Sequence, residues 1–197
     1  LTGDPSYKTA ISLASKAMAD QGRKDSLEAS RNAYWVGGTI GDDRMRSRVI
    51  TSMIDATELG IDFRTQFAPE DLASSVSAVL ATQGANGQFG GTFYLGGQKT
   101  YMSAMLVTAL TRYYDEITPD PRIPAAVKRW LDYTWNTSWI PSAQAFQYIT
   151  KVVPGEGGTS PTPPLNGIVL QPYGWYAAYS KAPADVARAD AVLSGLQ

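Results

Sequence analysis

The chain of 197 residues contains no cysteine and no histidine. Without cysteine there are no disulfides, no thiol nucleophile and no zinc site of the cysteine type. Without histidine there is no Ser-His-Asp or Cys-His catalysis, no imidazole-ligated metal and no imidazole general base. Any chemistry falls to carboxylates, Tyr, Lys, Arg, Ser and amides. Charge of one sign is also missing: 17 basic and 18 acidic residues leave a net charge of −1. No surplus of Lys or Arg exists to neutralise a phosphate backbone, which argues against a nucleic-acid partner. No window approaches the ~20 apolar residues of a membrane span; the longest, around Met102 to Leu110 and Ile168 to Leu170, fall well short. Neither a metal nor a cofactor is expected. Charged residues make up only 18% of the chain while aromatics reach 11%, a polar, weakly charged, Trp- and Tyr-rich balance that suits an extracellular or periplasmic protein facing carbohydrate.

What is present is repetition. Leu1-Thr-Gly-Asp4-Pro5 and Ile117-Thr-Pro-Asp120-Pro121 are near copies, with looser versions at Phe67-Ala-Pro69-Glu70-Asp71 and Ser180-Lys-Ala-Pro183-Ala-Asp185. In the first two, Asp is placed to accept from first-turn amides, and Pro suits the start of a helix, where no amide donor is needed. The marking prolines fall at 5, 69, 121 and 183, a spacing that fits an array of helical hairpins, each unit burying its apolar face against its neighbours.

Apolar periodicity fills in the rods. Helices are expected over Pro5 to Asp20 up to Gly22, over Ser26 to Trp35 up to Gly37-Gly38, and over Asp42 to Leu59, where Gly60 supplies a left-handed terminator. Further ones are expected over Pro69 to Gln83, Gln98 to Glu116, Asp120 to Trp135, Gln171 to Tyr179 and Pro183 to Leu196, with a short one from Pro141 through Ile149. The stripe along Gln98 to Glu116 is wide enough for a helix packed on more than one side, which assigns it to an inner layer. Asn86-Gly87 reads as a tight turn, and 153–164, rich in Pro and Gly, as an irregular excursion. The fold expected is all-α, one helical-hairpin domain spanning residues 1–197.

Two motifs give this array a likeness. A helix ending in an aromatic pair and followed by Asp-Pro occurs as Tyr113-Tyr114-Asp115-Glu116-Ile117-Thr118-Pro119-Asp120-Pro121, and Leu1-Thr-Gly-Asp4-Pro5 opens another unit; both resemble the hairpin loops of the six-hairpin glycosidase-like, or (α/α)-toroid, proteins. Gln83-x-x-x-Gly87-x-Phe89 is similar to turns of toroid terpene cyclases and related lyases, with Phe where Trp is usual. The resemblance implies a partial (α/α)-toroid and a glycoside hydrolase-like or lyase-like setting. Six hairpins at this spacing need about 350 residues, so the chain is expected to be a fragment or C-terminal part of a larger toroid protein. It carries over no catalytic residue.

Candidate site residues come from the loops. Asp42 and Asp43 follow a Gly-rich stretch and could act as acid and base in glycosidic cleavage, although acidic residues also belong at a helix N-terminus for dipole reasons alone. Asp55 and Glu58 share a helix face, most simply a solvated one. In Gly90-Gly91-Thr92-Phe93-Tyr94-Leu95-Gly96-Gly97-Gln98-Lys99-Thr100-Tyr101, the side chains of Tyr94, Gln98, Lys99 and Tyr101 sit at a helix N-terminus and could bind sugar, or the glycines could simply permit packing. Trp135 and Trp139 are placed to stack on sugar rings, while Trp130 and Trp175 suit the core. The function expected is a carbohydrate-active domain of an exported bacterial protein, binding or hydrolysing a polysaccharide or oligosaccharide at the Gly-rich ends of inner helices. The competing expectation is a non-catalytic helical module that meets another protein chain or the rest of its own toroid; it requires an exposed apolar patch.

Overall fold

A computed structural model describes residues 43–60, 72–89 and 97–196 except 153, 156 and 157, together with 5, 6, 8–10 and 13. The last group is helical, within the expected first helix; the expected second helix, Ser26 to Trp35, and most of the 90–97 loop lie outside the described residues.

The described fold is all-α. Its helices are α1 (Asp43–Glu58), α2 (Leu72–Ala81), α3 (Thr100–Arg112), α4 (Arg122–Thr137), α5 (Asn166–Ser180) and α6 (Pro183–Ser194). Gly60 ends α1 at φ +64°, as the sequence anticipates. The turn before α4 uses Asp120 as foreseen, its Oδ1 accepting from the Arg122 amide at 2.9 Å. After Arg112 the chain overwinds no further but loosens into a π-turn over Tyr113–Ile117, closed by the Thr118 amide on Tyr113 O at 3.0 Å.

Side-chain contacts fix the direction of each rod. Along α1 and α3, Asp43 meets Gln98, Ser47 Oγ donates to Met105 O at 2.9 Å and Asp55 meets Arg112, so the two helices run parallel. α5 runs parallel to α3 as well: Tyr114 packs edge-on against Trp175 and Tyr179 where both end, and the 146–148 segment bridges both where they begin. The others run opposite. Arg46 at the start of α1 reaches Thr82 at the end of α2, α4 runs with α2 through Arg122 on Ser77 and Arg129 on Gln83, and Gly195 after α6 lies against Asn166 at the start of α5. The order is therefore α1, α3, α5 side by side in one layer, with α2, α4 and α6 antiparallel in a second.

Burial follows that order. α3 contributes Leu106, Val107 and Leu110 to a core shared with Ile50, Met53 and Ile54 of α1, Val76 and Val79 of α2, Trp130 of α4 and Tyr173 of α5. Trp130 is fully buried and Nε1 donates to Ser103 Oγ at 3.0 Å; Tyr173 Oη donates to Leu131 O at 3.0 Å and lies 3.0 Å from Thr134 Oγ1. Burial pushes the Tyr173 hydroxyl far above its ordinary pKa, so it remains protonated.

The Gln83-x-x-x-Gly87-x-Phe89 motif fastens α2 to α4. Gln83 Nε2 donates to Gly87 O at 3.0 Å and Ala126 O at 2.8 Å, while Oε1 accepts from Arg129 Nε at 3.1 Å. Gly87 sits at φ +95° with the Arg129 carbonyl where a Cβ would be, and Phe89 is buried.

One expectation fails. Residues 141–149 do not form a helix: a single 3-10 turn, Pro141–Ala143, leads to Gln144 in the left-handed region at φ +45°, and the chain then extends. β1 (Trp139–Ile140) pairs antiparallel with β2 (Ala145–Phe146), and further along Ile149 bridges Lys99 and Gln147 bridges Pro161. Cross-chain pairing, invisible in local periodicity, takes these residues into a ribbon across the starts of α3 and α5. The start of α5 also differs, coming five residues before Gln171 and running through Pro172, because Asn166 anchors it: Nδ2 donates to Gln144 O at 2.7 Å and Oδ1 accepts from the Phe146 amide at 3.3 Å.

Candidate ligand-binding site at the N-termini of α1 and α3

Because α1 and α3 are parallel neighbours, their positive ends lie together. Asp43 occupies the first turn of α1 and is buried; its Oδ1 lies 3.5 Å from Arg46 Nη1 and its Oδ2 accepts from Gln98 Nε2 at 3.3 Å. Gln98 is tied down on all sides but one. Its amide N donates to Thr150 Oγ1 at 2.9 Å, its carbonyl accepts from the Thr150 amide at 3.0 Å, and Nε2 donates also to Phe89 O at 2.9 Å. Two donor contacts fix which arm is nitrogen. The remaining arm, Oε1, is buried and has no hydrogen-bond partner, although Gln98 is only 4% exposed.

A second oxygen shares that condition. Thr100, first residue of α3 and 1% exposed, has no partner for Oγ1, while its amide donates to Tyr148 O at 3.3 Å. Leaving a buried polar atom unsatisfied costs about 1–3 kcal/mol. Two such atoms lie two residues apart at one helix end, where buried polar atoms are ordinarily satisfied.

Lys99 and Tyr101 complete the cluster. The Lys99 ammonium lies 5.5 Å from the centroid of the Tyr148 ring, and the Tyr101 ring packs on Tyr148 at 5.6 Å with a 35° tilt. Burial, followed by the hydrogen bond to Tyr148, raises the Tyr101 pKa to about 12 despite the opposing charges of Lys99 and Arg44. The phenol is thus a neutral donor at physiological pH.

Of the residues singled out in the sequence, Asp43 meets Gln98, and Lys99 and Tyr101 both pack on Tyr148, whereas Asp42 and Tyr94 lie outside the described residues. Trp135 and Trp139 are elsewhere. They stack on one another at 4.9 Å and 13°, half-buried against the core, with the Arg188 guanidinium 5.3 Å from the Trp135 ring and Phe146 4.9 Å from Trp139. Thr100, Tyr148 and Arg44 join the site without having been singled out. The helical period expected over 141–149 gives Tyr148 no place in a site, and the unmet need of Thr100 arises only on burial.

The opposite end of the layer carries the other carboxylates. Arg112 Nη2 holds Asp55 at 2.9 Å, Glu116 at 2.7 Å and Glu58 at 3.9 Å, all half-exposed, which keeps that guanidinium firmly charged. Beside them Trp175 stacks on Tyr179 at 5.3 Å and donates from Nε1 to Asp115 at 2.8 Å. Among the described residues, no group of acidic side chains is arranged to hold a metal ion, and no helix is long and apolar enough to cross a membrane. In comparisons with protein-family models, curated proteins and solved structures, nothing matches this chain.

Proposed function

We propose that this chain is a carbohydrate-active domain of an exported protein, part of an (α/α)-toroid, and that it binds a saccharide where α1 and α3 begin. The observation that carries the reading is the pair of buried, partnerless oxygens, Gln98 Oε1 and Thr100 Oγ1, at the start of the helix where Lys99 and Tyr101 pack on Tyr148. Sugar hydroxyls are donors of matching reach, and an aromatic pair with a neutral phenol offers a stacking surface and a further hydrogen bond. The alternation of a parallel layer with an antiparallel one supports the toroid part of the reading, as does the Gln83 fastening between successive outer helices.

Binding is favoured over hydrolysis. Asp43 is buried and already engaged by Arg46 and Gln98, and a glycosidase needs a second carboxylate roughly 5–10 Å away, for which Asp42 is the candidate. A glycan array tests the reading: wild type binds at least one polysaccharide, Lys99→Ala and Tyr101→Ala lose it, and Trp139→Ala keeps it. Silence across every polysaccharide removes the proposal, and loss only in Trp139→Ala moves the site to the tryptophan pair.

One observation favours a second reading, a helical module that meets another protein. On α6, Val186 and Leu193 lie seven residues apart on one face and are 40% and 50% exposed, with Leu196 beyond them. Sedimentation of the purified chain alone and with candidate partners, compared with Leu193→Glu, tests it.

A further inference from the structure

The opposite end of the parallel layer presents an aromatic surface. α1, α3 and α5 finish side by side there, joined by Arg112 on Asp55 and by Tyr114 against Trp175 and Tyr179, so their partial negative ends lie together. Trp175 and Tyr179, one turn apart on α5, stack at 5.3 Å and 7°, and Tyr114 stands edge-on to both. Trp175 and Tyr114 pack inward on the core, while Tyr179 is 49% exposed. The two stacked rings leave no slot between them to enclose a small cation, so contact from outside falls on the open face of Tyr179.

Charge decides what that contact is. Asp55, Glu58, Asp115 and Glu116 stand here against Arg112 and, at the end of α5, Lys181. Arg112 is taken up by Asp55 at 2.9 Å and Glu116 at 2.7 Å, with Glu58 left 3.9 Å away. Asp115 is exposed, and its Oδ2 accepts from Trp175 Nε1 at 2.8 Å, which fixes the carboxylate at the rim of the stack. Among the described residues its Oδ1 has no donor. A guanidinium uses both features, lying flat on an aromatic face while donating to a carboxylate, whereas an ammonium is a strongly hydrated point charge. A neutral sugar could stack on the rings but leaves the surplus negative charge unanswered.

We propose that this end of the layer docks a basic segment of another protein chain, through an arginine that stacks on Tyr179 and donates to Asp115. The residues involved are separate from those at the starts of α1 and α3, so this proposal and the saccharide reading fail independently.

Three versions of one glycine-spaced peptide, carrying arginine, lysine or uncharged citrulline at the same positions, test it when titrated into the full chain and followed by fluorescence anisotropy in low and high salt. The arginine peptide should bind about tenfold more tightly than the citrulline one and more tightly than the lysine one, and should weaken as salt rises. Asp115→Asn still accepts from the Trp175 indole but loses its charge, and should weaken arginine binding about tenfold. Tyr179→Ala should do the same, Tyr179→Phe should retain binding, and Asp190→Asn, an exposed change on α6, should leave it intact. Circular dichroism verifies that each variant is folded. Equal affinity for the arginine peptide and either counterpart overturns the proposal, as does arginine binding that survives both Asp115→Asn and Tyr179→Ala. Failure of every peptide to bind overturns it too, and an oligosaccharide that then binds wild type but not Tyr179→Ala would make the stack a sugar platform instead.

Discussion

Replacing Thr100 by Val should stabilise the free protein and weaken its ligand. The side chain is 1% exposed, and its hydroxyl is buried without a partner, so folding strips its water and returns nothing. Such a loss costs about 1–3 kcal/mol. Valine keeps the β-branch, the size and nearly the same helix propensity at the first position of α3, and exchanges the hydroxyl for a methyl that burial favours. A gain of about 1 kcal/mol follows, which for a chain of this length raises the melting temperature by roughly 2–4 °C. Thermal and urea unfolding without ligand measure it, and the same variant should bind saccharide about fivefold less tightly, the loss of one hydrogen bond. Ser103, three residues on, is the contrast. Its hydroxyl accepts from Trp130 Nε1 at 3.0 Å and donates to Thr100 O at 3.0 Å, so Ser103→Ala should destabilise by about 1–3 kcal/mol. A Thr100→Val protein that melts below wild type would refute the reasoning, because the hydroxyl would then have a native partner and would not be waiting for one.

Other outcomes follow from the same contacts. Gly87→Ala combines a left-handed backbone with a Cβ that collides with the Arg129 carbonyl oxygen, so it should lose at least ~2 kcal/mol and detach the 83–89 turn from α4, read by hydrogen exchange at the Gln83–Ala126 contact. Asp132 links α4 to α6 through Arg188 and pairs with Lys128 within its own helix; burial raises its pKa, but the hydrogen bonds from both cations outweigh it and leave it below the usual 3.8. Its charged form is favoured by folding, so its contribution is present above about pH 4 and is lost as pH falls through the lowered value. Asp132→Asn should therefore unfold with a shallower acid dependence in that window, measured by urea titrations at stepped pH. An unchanged slope would mean that the ion pairs of Asp132 with Lys128 and Arg188 do not contribute.

Much of the scaffold can be read along the chain because its determinants are local. The apolar stripes of α1, α3 and α4, the stop at Gly60 and the Asp120 turn all depend on residues within a few positions of one another. Residues 145–150 obey distant partners, at 98–100, 138 and 160–162, and no helical period could report them. The π-turn after Arg112 has no local signature either. For the site, Gln98, Lys99 and Tyr101 are near neighbours in sequence, and Asp43 meets Gln98 only because α1 and α3 start together. What sequence cannot express is satisfaction. Gln98 and Thr100 look like ordinary polar residues until the fold closes over them and leaves one oxygen of each without a donor.

The account stands or falls on where a saccharide touches the protein. An amide-detected NMR titration of the full chain with oligosaccharides released from the best-binding polymer tests this directly. The largest shifts should fall on the Gln98 side-chain amide, the Thr100 and Tyr101 backbone amides and the Tyr148 ring neighbours, saturating together with one affinity. Shifts confined to the Trp175–Tyr179 end, or to Trp135 and Trp139, with Gln98 and Thr100 unmoved, would contradict it.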